Sequence, residues 1–118
     1  MGRIQKFEDL ICWQKARELA KEIYDVLKSE EFRKDYPLKD QINRASISIM
    51  LNIAEGFGRK SHKEFKHYLF MSHGSAAEVQ SALYLALDRN HIDESLFNNL
   101  YQMCEENSKI ISGLIKSL

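Results

Sequence analysis

The stretch QINRASISIMLNIAEGFGR, residues 41–59, constrains the fold more than any other part of the chain. Its spacing is helical. Yet Leu38, Ile42, Ala45, Ile47, Ile49, Met50, Leu51, Ile53, Ala54 and Phe57 occupy most of the circumference when residues are placed about 100° apart. Packing one face into a bundle needs an apolar stripe only about 100° wide. The surplus must be covered, because a contiguous exposed patch of this kind is adhesive. Two arrangements cover it. In one, the helix packs inside its own bundle and also against another subunit, through Ile47, Met50, Leu51 and Ala54. In the other, it is the central helix of a slightly irregular monomer. The polar residues fall along one line: Gln41, Arg44, Ser48, Asn52, Glu55 and Arg59 lie within roughly 80° of one another.

The remaining segments are helical too. Residues 9–29 carry Cys12, Ala16, Leu19, Ala20, Ile23, Val26 and Leu27 on one face and charged residues on the other. Pro37 suits a helix start, and Gly56 and Gly58 suit a left-handed helix end. Ser61 and Glu64 have capping-box spacing, and Asn90 and Asp93 mark a stop and a new start. The spacing predicts helices over about 9–29, 37–57, 62–89 and 94–117, with no alternating strand pattern. Short connections make sequential neighbours antiparallel. The expectation is all-α: one up-down-up-down four-helix bundle domain over residues 1–118.

In an antiparallel hairpin folded at 56–61, position 44 comes level with about position 76. Glu78 lies within a turn of that, so an Arg44–Glu78 ion pair is expected, because a buried arginine needs a carboxylate. Ser48 comes level with Ser72 and Ser75, and Asn52 with Tyr68. Gln41, Arg44, Ser48, Asn52, Glu55 and Glu78 are read as a structural polar network that fixes register. Gly74, beside Ala76 and Ala77, admits a close helix approach and joins the expected oligomer interface.

FEDLICWQKARELAKEIY, QINRASISIMLNIAEGFGRKSHKEFKHYL and GSAAE resemble the four-helix bundle proteins encoded within 23S ribosomal RNA intervening sequences. The resemblance runs from Phe7 to the C-terminus and is most specific at Gln41, Arg44, Ala45, Ser48, Ile49, Asn52, Ala54, Glu55, Gly56 and Arg59. It implies assembly as a cyclic homo-oligomer, a homopentamer of bundles arranged as a barrel. It also implies a distant relation to retroelement accessory variability proteins, which bind nucleic acid and a reverse transcriptase. Most members have no established activity. The accessory proteins are strongly basic, whereas this chain has 17 basic and 17 acidic residues.

Chemistry-bearing motifs are sparse. His62, His67, His73 and His91 form no HExxH and no i, i+4 pair, and GFGR lacks the context of a dinucleotide loop. No catalytic residue, metal site or cofactor is expected, and the reading is non-enzymatic. Cys12 and Cys104 lie far apart without metal-ligand spacing, which fits a reducing cytoplasm and small core residues. No apolar run approaches the roughly 20 residues of a membrane span, so no membrane partner is expected.

One charged feature stands out. Arg59, Lys60, Lys63 and Lys66 against Glu64 give a local charge of +3. The topology adds Arg3, Lys6 and Lys116 at that end, with Glu30, Glu31, Asp35, Asp88, Asp93 and Glu94, mixed with some lysine and arginine, at the other. A phosphate backbone binds such clusters through counterion release. The expected function is therefore an oligomeric scaffold binding RNA, DNA or a nucleic-acid enzyme through Arg59, Lys60, Lys63, Lys66, Arg3 and Lys6. The competing readings are a solvated helix end and a purely structural or protein-interaction assembly.

Overall fold

Four amphipathic segments can hide their apolar faces only by packing on one another. The computed structural model describes residues 4–118, and Arg3 lies outside them. Four α-helices run in order: α1 (Ile11–Leu27), α2 (Tyr36–Gly58), α3 (His62–Asp88) and α4 (Glu94–Ser117), with no strand among the described residues. α2 and α3 form the most extensive seam. α1 lies against α2 and α4, and α3 against α4, which closes the bundle. The body measures 45 × 21 × 19 Å, so the two turn-bearing ends are well separated.

Each boundary has a local cause. A short 3-10 turn at Phe7–Asp9 precedes α1, and buried Leu10 is its extended N-cap. The helix stops at Leu27; Ser29 is extended and a second 3-10 turn, Glu30–Phe32, seats Phe32 in the core. Asp35 caps α2, its side chain accepting from the Leu38 N–H at 3.4 Å, with Pro37 in the first turn. Ser61 caps α3 by accepting from the Glu64 N–H at 3.3 Å. Glu64 turns its own carboxylate to Arg59 at 3.7 Å, so the ion pair takes the side chain a reciprocal capping box would use. Asn90 takes φ 61° and ends the α3 turn, and Asp93 accepts from the Leu96 N–H at 2.8 Å to start α4.

The α2–α3 turn differs from the expectation. Neither Gly56 nor Gly58 has positive φ; the left-handed residue is Lys60, at φ 57°. α2 runs on through Gly58, which moves the reversal two residues along the chain. Gly56 is buried and serves a close approach instead. A Cβ there would stand 2.6 Å from the Tyr68 Cβ and 3.1 Å from the Phe65 ring.

Leu19, Ile23, Ile42, Ile49, Ile53, Leu69, Leu83, Leu100 and Ile111 are each at most 2% exposed and form the central core. Each such side chain contributes about 1.5–3 kcal/mol through removal from water. Cys12 and Cys104 are buried in the same core. Burial holds both as thiols, pushing Cys12 up to about 11 and Cys104 up to about 12.

Candidate functional site

The polar line of α2 turns toward α3. Asn52 donates from Nδ2 to the Ser48 carbonyl and to Ser48 Oγ, both at 2.9 Å. Ser48 Oγ in turn lies 2.9 Å from Ser75 Oγ. One turn away, buried Ser72 donates to the Ile49 carbonyl at 2.8 Å. The Ser48–Ser75 and Ser72–Ile49 bonds join the middle of α2 to the middle of α3 and help define their register.

Toward the N-terminal end of α2 the expected Arg44–Glu78 pair is not formed. Arg44 pairs with Asp40, one turn back, at 3.7 Å, with its side chain 75% exposed. Glu78 instead accepts from Gln41 Nε2 at 3.5 Å. The expected pair requires a buried guanidinium that demands a carboxylate across the seam. An exposed arginine is solvated, and the nearer i−4 carboxylate suffices.

At the other end of the seam, Arg59 is a clamp. Its Nε donates to Glu55 at 2.9 Å, a second nitrogen donates to the Tyr68 hydroxyl at 2.7 Å, and Glu64 lies 3.7 Å away. The Glu55 hydrogen bond, followed by the charges around it, pushes the guanidinium pKa up. Its i, i+4 spacing to Glu55 is visible in the sequence, whereas the Tyr68 hydroxyl is not. Arg59 is therefore occupied within the fold. Lys60, Lys63 and Lys6 are exposed and Lys66 is half-buried. None of the four takes part in an ion pair among the described residues. Ile4 and Gln5 lie beside Phe57, Gly58, Lys60, Ser61 and His62 around a groove of about 400 Å³, which brings the N-terminal segment to the basic turn.

The opposite end is held by a second charged cluster. Asp35 Oδ2 lies 2.7 Å from His91 Nε2 and accepts from Arg89 at 3.1 Å, so the residues leading into α2 are tied to the α3–α4 turn. The His91 hydrogen bond, then Arg89, holds the Asp35 carboxyl below its usual range. The Phe32 ring packs on His91 at 4.8 Å between centroids.

The outward side of α2 carries Ile47, 39% exposed, and Leu51, 57% exposed, with Met50 and Ala54 half-buried beside them. On α3, Phe70 and Met71 are exposed one turn before Gly74, whose surroundings are open, and Leu85 is exposed farther along the helix. The surplus apolar circumference of residues 41–59 thus reaches the protein surface. Among the described residues no group of three His, Cys, Asp or Glu side chains is placed to hold a metal. Among the described residues no helix is long and apolar enough to cross a membrane.

A family model described as 23S rRNA-intervening sequence protein matches residues 8–113. A crystal structure of a protein of unknown function from the S23 ribosomal protein family of Bacteroides thetaiotaomicron superposes with a TM-score of 0.82. Its sequence is 26% identical, over 90% of this chain and 99% of that one. No curated protein matches the chain.

Proposed function

The chain belongs to the 23S rRNA-intervening sequence protein family, and on that footing we propose that it is a non-enzymatic, homo-oligomeric scaffold, pentameric by the family resemblance, that works in the cytoplasm. It binds RNA or DNA, or a nucleic-acid-processing enzyme, through its basic end. The observation that carries this reading is the set of uncommitted ammonium groups, Lys60, Lys63, Lys66 and Lys6, gathered at one end of a chain whose charges balance as a whole. Phosphates attract such groups without base reading, and a cyclic assembly would repeat the cluster around a ring. The seam side chains, by contrast, are spent on one another, which suits a scaffold better than a reacting centre.

The exposed surface of α2 and α3 supports self-assembly. A purely structural assembly without a nucleic-acid role is the competing reading, and the zero net charge favours it. Filter binding of a polynucleotide across a salt series separates the two. Wild-type affinity should fall steeply with salt, and reversing Lys60, Lys63 and Lys66 to glutamate should flatten the slope by roughly 0.7–0.9 for each phosphate no longer neutralised. Arg59→Gln should change the slope little, because that guanidinium is already held by Glu55 and Tyr68. Salt-independent or absent binding by the wild type would leave the structural assembly standing.

A further inference from the structure

A groove of about 260 Å³ runs along the α1–α2 seam, away from the basic turn, lined by Tyr24, Leu27, Lys28, Tyr36, Lys39, Asp40 and Asn43. Its two tyrosines are among the most exposed aromatics of the described residues, Tyr24 at 56% and Tyr36 at 70%. Lysines interleave them: Lys21, Tyr24 and Lys28 follow one another at i, i+3, i+7 on α1, and Tyr36, Lys39 and Asn43 repeat that spacing on α2. The Lys28 ammonium lies over the Tyr24 ring, 4.8 Å from its centroid, so this face already accepts a cation and a stacked base would take its place there. Of the acids present, Asp40 is engaged by Arg44 at 3.7 Å and Asp25 by Lys28 at 3.6 Å. Lys39 has no ion-pair partner among the described residues.

From this arrangement we propose that the Tyr24–Tyr36 groove binds one nucleotide of a single-stranded nucleic acid, its base stacked on tyrosine and its phosphate at Lys39 and Lys28. Ring faces accept any base, and the flanking ammonium groups supply the charge complement that a purely apolar groove lacks. Asn43 offers an amide to a base edge. The site rests on the nucleic-acid reading for its biological partner, but it is chemically separate from the basic turn. It would make the protein favour unpaired strands, since a base inside a duplex cannot reach the rings.

The test is a two-dimensional amide NMR titration with adenosine monophosphate, repeated on the Lys60, Lys63, Lys66 charge-reversed protein. Shifts at residues 24–28 and 36–43 that persist undiminished in the charge-reversed protein are expected, whatever shifts the basic turn of the wild type adds. Tyr24→Ala or Tyr36→Ala should weaken the affinity about tenfold, while Tyr24→Phe and Tyr36→Phe retain it. Both positions are exposed, so either alanine variant should remain folded, and its unshifted distal amides check this. Absence of shifts at millimolar nucleotide, or shifts at residues 60–66 alone, would overturn the site. Shifts at the groove on raising protein concentration without nucleotide would assign it to a second copy of the chain and overturn it as well. The polynucleotide salt series reports on the basic end independently, so either reading can fail without the other.

Discussion

A Cβ built on Gly56 would stand 2.6 Å from the Cβ of Tyr68, a separation that real side chains do not adopt. Gly56 therefore sets how closely α2 and α3 approach at the basic end, where Phe57 and Phe65 meet edge to face at 5.7 Å. Gly56→Ala should destabilise the protein by about 1–3 kcal/mol, because the gain in helix propensity is smaller than the cost of forcing the helices apart. Gly113→Ala, in α4 with nothing within 4 Å of the added carbon, is the control and should stabilise by about 0.5–1 kcal/mol. Urea denaturation of both variants checks the pair; a Gly56→Ala protein as stable as the wild type would contradict the close approach.

The helices are legible because a period of 3.6 survives in every segment, and the caps at Ser61, Asn90 and Asp93 are legible because their residue types have few other uses. Ser48 opposite Ser75 follows from counting along an antiparallel hairpin. The Arg44 partner is not legible, because periodicity cannot tell a helix face at the seam from one a few tens of degrees outside it. The role of Gly56 is hidden for a related reason: a glycine near a helix end signals a turn, and only the neighbouring helix reveals a close approach. The Tyr24–Tyr36 groove joins two helices, so neither stretch displays it alone.

Lys60 holds φ 57°, a region that costs a non-glycine residue about 1–2 kcal/mol. Lys60→Gly removes that strain but loosens the unfolded chain by about 0.4–1 kcal/mol. The variant should be as stable as the wild type or up to about 1 kcal/mol more so. A loss of about 1 kcal/mol, the ordinary result of glycine in an exposed helix, would contradict the left-handed assignment. Thermal melts followed by circular dichroism decide it.

Asp35 gives a pH dependence of definite sign. Its folded carboxyl is held below the usual range by His91 and Arg89, so its contribution is fully present above the unfolded value of about 3.9. It is lost as pH falls through the lower folded value. Asn is as good a helix cap as Asp, so Asp35→Asn removes the charge and keeps the cap. The stability gap between wild type and variant should close as pH falls below about 4. A gap that stays open through that range, measured by denaturant midpoints across pH, would contradict the assignment.

Asn107 is 1% exposed, and both polar atoms of its side chain lack a protein partner. Unpaired buried amide groups cost about 1–3 kcal/mol, so Asn107→Leu should raise the denaturant midpoint. The residue's place among Cys104, Ile111 and the neighbouring helices would then be one of register rather than strength. Equal or lower stability of the leucine variant would show that the amide is satisfied in solution.

If the outward face of α2 joins copies of the chain, as proposed, light scattering of wild type and Leu51→Glu will show it. Leu51 is 57% exposed in the single chain, so the added charge should leave the bundle folded. The wild type should have the mass of a ring, five chains of 13.8 kDa each by the family resemblance, and the variant should fall to single chains with an unchanged helical signal. A wild-type mass equal to one chain, or a variant that stays fully assembled, would rule out α2 as the joining face.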